Sequence, residues 1–385
     1  MNIKTVLKTS VAAAALVAIS APAVVSQAEA GINNGNKNSL VMSGQIVRAL
    51  FYQDNGNDSQ LFQGDGRNTK SRVRWIVSGQ MTESVAIGGL VEMNFPNSNS
   101  GGALNTNSTS TTTSVNNGEV QTDSGWQIRH SRVDFKHKSL GTLSIGQSSI
   151  AGDGAATQSF MPGAPFHGTT GAAVMGNSHF AVSNNGITAA GAGVGSAASG
   201  NFDPGREDRV RYDTPSFGGL KLAVSHQDNG QSVAVNYGGK FGGVQVAAAA
   251  FYENTAAGST TVDASLGGSA GIKHDSGLSA QISYSREDVS TGTLIEGRNI
   301  SGGIGYEANL TNLGSTGFAF TYSTTDESVA NNDEGETFHV SVNQNVDSVG
   351  ADLYAGFARS SYEGGVAGVN YDDFTTIYAG TRLNF

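Results

Sequence analysis

Thr375-Thr376-Ile377-Tyr378-Ala379-Gly380-Thr381-Arg382-Leu383-Asn384-Phe385 alternates without a break. Ile377, Ala379, Thr381, Leu383 and Phe385 share one parity, and Thr376, Tyr378, Gly380, Arg382 and Asn384 share the other. Successive side chains of a strand point to opposite faces, so this segment shows one apolar face and one small or polar face. That is the pattern of a barrel stave with hydrocarbon on one side and water on the other.

Working back through the chain, similar short segments recur. They cover 40–53, 71–79, 85–95, 126–137 and 142–147, and further ones start near Asp208, Leu220, Gln231, Val244, Leu266, Leu278, Asn299, Thr316, Thr337, Ala351 and Asp373. The total is about sixteen, an even number as single-chain bacterial barrels require. Short connections containing Gly218-Gly219, Gly238-Gly239 and Asp275-Ser276-Gly277 read as tight turns. They alternate with long polar connections such as 54–69, 96–125 and the acidic 323–336. Short turns at one end and long loops at the other are expected of an outer-membrane barrel, and a soluble sandwich does not repeat that asymmetry. The predicted fold is therefore an all-β, antiparallel transmembrane barrel occupying residues 31–385.

Composition agrees. The chain has 53 Gly, 6 Pro and no Cys, with 14% charged residues. Its mean hydropathy is -0.21. Beyond the N-terminal region no run of about 18 apolar residues remains, which excludes helical spans. At that end, Lys4 and Lys8 precede an apolar stretch, and Ala28-Glu29-Ala30 precedes Gly31. This is the layout of a secretory signal peptide over residues 1–30, which puts the mature chain beyond the inner membrane. Without cysteine there is no disulfide framework and no thiolate metal site.

Parity also assigns the charged side chains. In 71–79, Val73, Trp75 and Val77 oppose Arg72 and Arg74, and turning either arginine into lipid near the midplane would cost about 2–4 kcal/mol. Arg72 and Arg74 are therefore expected in the lumen. The same rule applied to Val47, Ala49 and Phe51 turns Arg48 inward; applied to Val133 and Phe135 it turns Arg132 and Asp134 inward, and applied to Val210 and Tyr212 it turns Arg209 and Arg211 inward. These residues build a basic patch on one wall, with Glu92, Asp134 and Asp213 as candidate partners.

Several motifs, in this order, resemble general porins of Gram-negative outer membranes, and alphaproteobacterial members most closely: Gly44-Gln45-Ile46-Val47-Arg48-Ala49, Arg129-His130-Ser131-Arg132-Val133, Gly141-Thr142-Leu143-Ser144-Ile145-Gly146-Gln147, Asp208-Arg209-Val210-Arg211-Tyr212-Asp213-Thr214-Pro215, and Gly380-Thr381-Arg382-Leu383-Asn384-Phe385. The resemblance spans the whole mature chain. It implies a homotrimer of sixteen-stranded barrels set among lipid and lipopolysaccharide, a third long loop folded inward to narrow the pore, and a terminal Phe385 read by the barrel assembly machinery. The stretch 148–207, with Asp153, Phe160, Pro162, Pro165, Phe166, His167 and Asp203, is the matching constriction loop. It departs from the family pattern in offering few acidic groups opposite the basic wall.

The expected function is passive diffusion of ions and small hydrophilic solutes. Arginines stay charged at working pH and favour anions at a narrowing. A formal net charge of -10, much of it at Glu287, Asp288, Asp326, Glu327, Asp333, Glu334, Glu336, Glu363, Asp372 and Asp373, draws cations to the mouth. The sign of selectivity is open at this level. Those acidic loops are also the chain's candidate Ca²⁺ sites, with plain solvated surface as the alternative. A substrate-selective pore with a lumenal binding site is the second channel reading, and a surface adhesin with Asn-, Ser- and Thr-rich loops is a third. No H-E-x-x-H, G-x-S-x-G or phosphate-binding loop occurs, so no enzyme is expected, and an acidic chain of this kind does not suit nucleic acid.

Overall fold

The computed structural model describes residues 37–66, 68–94, 126–163, 166–170, 174, 178–182, 193–198, 200–228, 230–255, 262–289, 296–364 and 368–385. The signal-peptide assignment and the loop 96–125 lie outside them, as does Pro165. Seventeen strand segments occur among the described residues: β1 (Ser39–Asp54), β2 (Ser59–Gly64), β3 (Arg72–Gln80), β4 (Val85–Asn94), β5 (Gln127–His137), β6 (Gly141–Ser149), β7 (Arg206–Asp213), β8 (Leu220–Gln227), β9 (Gly230–Phe241), β10 (Val244–Thr255), β11 (Ala264–His274), β12 (Leu278–Asp288), β13 (Arg298–Thr311), β14 (Gly314–Asp326), β15 (Glu334–Val346), β16 (Ala351–Glu363) and β17 (Phe374–Asn384). One four-residue helix, α1 (Val194–Ala197), lies between β6 and β7.

From β3 onward each strand pairs antiparallel with the next, and β17 pairs with β1 to close the ring. Phe385 extends that seam, exchanging two backbone hydrogen bonds with Gly44. The barrel is sixteen-stranded, because β2 and β3 share one stave. β2 pairs with the upper half of β1 (Ala49 opposite Gly64) and β3 with the lower half (Gln45 opposite Arg72). Residues 54–69, expected as a polar loop, contain β2, in which Leu61 is exposed and Phe62 buried as strand parity demands.

Exposure is inverted relative to a soluble protein. Leu222, Val233, Ile282, Ile304 and Ile377 lie exposed on the outer surface, while Ser285, Ser301, Thr321, Ser323, Thr337 and Thr376 are buried on the inner one. Apolar groups outside and hydroxyl groups inside suit lipid on the convex face. The turns match the expected chemistry with one exception. Gly218 and Gly219 both take positive φ, as does Gly277. Gly238-Gly239, by contrast, continues β9, and the chain turns at Gly242. Gly239 is small because the Tyr237 ring packs across it and stacks at 6.4 Å on Phe241.

Candidate functional site: the pore and its constriction

Between β6 and β7, the described residues among 150–205 pack against the inner face of the barrel wall. The hydroxyl-lined wall holds the loop by its backbone. Ser225 and Ser232 accept the N–H groups of Ala151 and Gly152 at 2.9 and 3.0 Å. Ser269 accepts from Gln158 N and donates to Ala155 O, both at 2.7 Å. Ser285 accepts from Phe202 N at 3.1 Å, and Thr337 donates to Ala198 O at 2.9 Å. A buried irregular segment must satisfy its backbone polar groups, and Ser and Thr on the inner parity do this here. Close approach is needed as well. A Cβ on Gly303 would sit 2.7 Å from the Met161 sulfur, and one on Gly305 would sit 2.8 Å from Pro162 Cδ.

Further along, the loop turns apolar, and the inner wall turns apolar to meet it. Phe166, Val174, Phe180 and Val194 pack with Val47, Ala49, Phe51, Tyr354 and Tyr378 in one buried cluster. This overturns the inward placement of Arg48. Val47, Ala49 and Phe51 face the loop, and Arg48 stands on the outer parity opposite Thr381, its side chain 42% exposed and 3.4 Å from Asp65. An apolar parity excludes water, and either lipid or a docked loop can be what excludes it.

His167 is the polar pin of this contact. It is buried, with Nε2 2.7 Å from the Thr321 hydroxyl and Nδ1 2.8 Å from that of Ser341. Its ring stacks on His339 at 4.4 Å, and His339 reaches the Tyr378 hydroxyl at 3.0 Å. Burial pushes the His167 imidazole down to about 3, so it is neutral in the docked loop. A free imidazole takes up a proton near pH 6.5. The folded value lies below the free one, so this contribution to docking is complete above about pH 6.5 and fades as pH falls toward 3. Single-channel noise is accordingly expected to rise on acidification through that window, and His167→Gln should flatten the dependence.

The open lumen holds about 1650 Å³. On β3 to β9, nine lysine and arginine side chains line it against three carboxylates, Glu92, Asp134 and Asp213. Arg72, Arg74, Arg132, Arg209 and Arg211 all face it, as parity predicts. Glu92 is buried and gathers Arg72 at 3.0 Å, Arg129 at 2.8 Å and Arg74 at 3.3 Å, with His130 at 4.0 Å. Asp134 pairs with Arg132 at 3.0 Å and accepts from Ser144 at 2.6 Å. Asp213 takes a two-pronged contact from Arg211 at 2.8 and 2.9 Å. Arg209 gives its Nε to Ser149 O at 3.1 Å and has no carboxylate within 4.0 Å among the described residues.

Arg129 was not among the sequence candidates. The pairing of β4 with β5 slips between Glu92 and Met93, so that Glu92 faces His130 while Met93 faces Ile128. One extra residue in one strand is a β-bulge, and it lets Arg129 and His130, adjacent in sequence, both turn toward Glu92.

The loop sets little charge against this wall. Asp153 lines the lumen but lies 3.5 Å from Arg206. Asp203 is not pore-lining, contrary to expectation; its carboxyl oxygens accept Gly154 N and Ala156 N, both at 2.7 Å, and so fold the loop on itself. Burial, with Asp153 close by, pushes the Asp203 carboxyl up to about 7 against those two donors. Thr157, Gln158, Ser159 and Phe160 of the loop also line the lumen and carry no charge. Among the described residues no three His, Asp or Glu side chains converge as a metal site requires.

A closed, lipid-facing barrel with a wet, loop-narrowed lumen defines a transmembrane diffusion pore. The profile of the Gram-negative porin family matches residues 12–365, and the chain belongs to that family. It is an outer-membrane channel for passive diffusion. Among solved structures, an anion-selective porin from Comamonas acidovorans superposes with a TM-score of 0.60 at 16% identity, covering 91% of this chain and all of that one. The trimer form of OmpT from Vibrio cholerae gives 0.57 at 14% identity, covering 91% of this chain and 100% of that one. The outer membrane channel DcaP of Acinetobacter baumannii gives 0.54 at 11%, covering 93% and 100%. A search of curated proteins returns no significant match.

Proposed function

We propose that this porin favours small anions and works as a homotrimer. The observation that carries the selectivity is the charge on β3 to β9, nine cationic lumen-lining side chains against three anionic, with an uncharged loop stretch at Thr157 to Phe160; over the whole described lining ten cations stand against seven carboxylates. Salt screens fields over about 8 Å under physiological conditions, so the acids of the outer loops act at the mouth while the arginines act where an ion has least room. Under a KCl gradient the reversal potential is expected to lie on the chloride side, and Arg72→Ala with Arg74→Ala should move it toward the potassium side. An unchanged potential would show that these side chains do not set the permeation field.

Trimer formation is supported by the outer surface around β1 to β3. Between the β2 and β3 ladders Ile46, Val47 and Arg48 of β1 have no strand partner on that side, and the Ser71 hydroxyl closes the gap, accepting from Val47 N at 2.9 Å and donating to Val47 O at 3.2 Å. What lipid would not tolerate on this face is the part-exposed Arg48 guanidinium beside Asp65, whereas a neighbouring subunit covers it. In lipid, Arg48→Leu would stabilise the barrel by roughly 2–4 kcal/mol. At a subunit contact the same change should weaken the oligomer, read as a lower temperature of trimer dissociation on a denaturing gel. Phe385 is proposed to serve in assembly.

A further inference from the structure

Beside the main lumen, at its long-loop end, lies a separate polar cavity of about 340 Å³. Lys70, Arg129 and Arg206 line it together with the amides of Asn94, Gln127 and Gln147, and among the described residues no carboxylate does. Lys70 has no carboxylate within 4.0 Å among the described residues. Asn94 is only 4% exposed, and its side-chain oxygen has no partner among the described residues; Arg206 Nε has none either. Arg129 lines both this cavity and the main lumen.

Arg129 shares Glu92 with Arg72 and Arg74, and Arg206 lies 3.5 Å from Asp153. Two carboxylates therefore stand against five cations once Lys70 is included, and burial strengthens the repulsion among those cations. They call for an anion. Donors arriving from arginine, lysine and amide groups in several directions suit a ligand with several acceptor oxygens better than a halide, and arginine forks match phosphate oxygens in particular. Liquid water occupies about 30 Å³ per molecule, so the space takes a phosphate group with its hydration or with a small organic substituent.

We infer that Lys70, Arg129 and Arg206 form a binding site for a phosphate dianion, free or as a small phosphate ester, at the entrance to the basic wall. The inference rests on the anion-favouring reading above and adds a saturable step to it. The test uses the full-length trimer in planar bilayers, with potassium phosphate added at pH 8 from the long-loop side to a fixed KCl solution. Chloride current should fall along a saturating curve. Lys70→Ala should shift the half-blocking concentration upward about tenfold, and Gln127→Glu should abolish block, with the KCl reversal potential little changed in both because neither residue lines the main lumen. Glycerol phosphate tested in parallel separates the sources: equal block assigns small phosphate esters, and block by inorganic phosphate alone assigns the free ion. Absence of saturable block by either, or block unaffected by both substitutions, overturns the site. The KCl reversal potential reports separately on lumenal selectivity, so either reading can fail without the other.

Discussion

Glu92→Gln is expected to lower the thermal stability of the barrel and to push its reversal potential further toward chloride. One buried carboxylate holds three guanidinium groups drawn from β3 and β5, at 2.8 to 3.3 Å. An amide of the same shape removes the countercharge and turns an N–H₂ toward at least one of the donors. Removing one member of a buried ionic cluster costs about 3–5 kcal/mol, because the charges left behind stay desolvated. The cost falls where the wall is least regular, at the bulge beside Met93. Two readouts make the test specific. Melting of the strand signal should shift down, and chloride preference should rise because the lumen loses one negative charge. A variant with wild-type melting and selectivity would mean that Glu92 does not neutralise the cluster.

Phe166→Ala is the second large effect, and it should act on the loop while sparing the barrel. Phe166 has no exposed surface and meets Tyr354 at 5.3 Å, Tyr378 at 5.4 Å and Phe51 at 6.1 Å between ring centres. Truncating a buried Phe to Ala costs about 3–5 kcal/mol in transfer and cavity terms. The strand ladders do not pass through this residue, so the loss falls on docking of the loop. Mean conductance and open-channel noise should both rise, and proteolysis within 150–205 should speed up. Wild-type conductance and noise would show that the aromatic contact does not hold the constriction.

The membrane barrel was legible because lipid and water impose opposite demands on alternate side chains. β17 obeys that rule along its length, with Ile377 and Leu383 outward and Tyr378 and Arg382 inward. Arg72, Arg74, Arg132, Arg209 and Arg211 were placed by the same logic and do face the lumen. It failed at β1, where Val47 and Phe51 touch the folded-in loop, and Arg48 was turned the wrong way as a result. Parity tells whether a face is dry, and only tertiary structure tells what dries it. Arg129 was missed for a different reason, since a bulge breaks the period of two on which parity depends. Two adjacent polar residues, Arg129 and His130, within an otherwise alternating strand were the available hint. Asp203 looked like a pore carboxylate because loop acids near a basic wall read as its counterpart, and the backbone donors at Gly154 and Ala156 that claim it cannot be seen in a linear sequence.

Alternate residues of each stave touch hydrocarbon and water. Because the chain contains no cysteine, single cysteines can test it on a silent background. In β5, introduced one at a time into the protein reconstituted in bilayers, cysteines at Arg132, Asp134 and Lys136 should react with a membrane-impermeant thiol reagent and reduce the current, while those at Val133 and Phe135 should stay unreactive. Equal labelling at all five positions, or labelling confined to Val133 and Phe135, would contradict a water-filled tube with its basic wall inside.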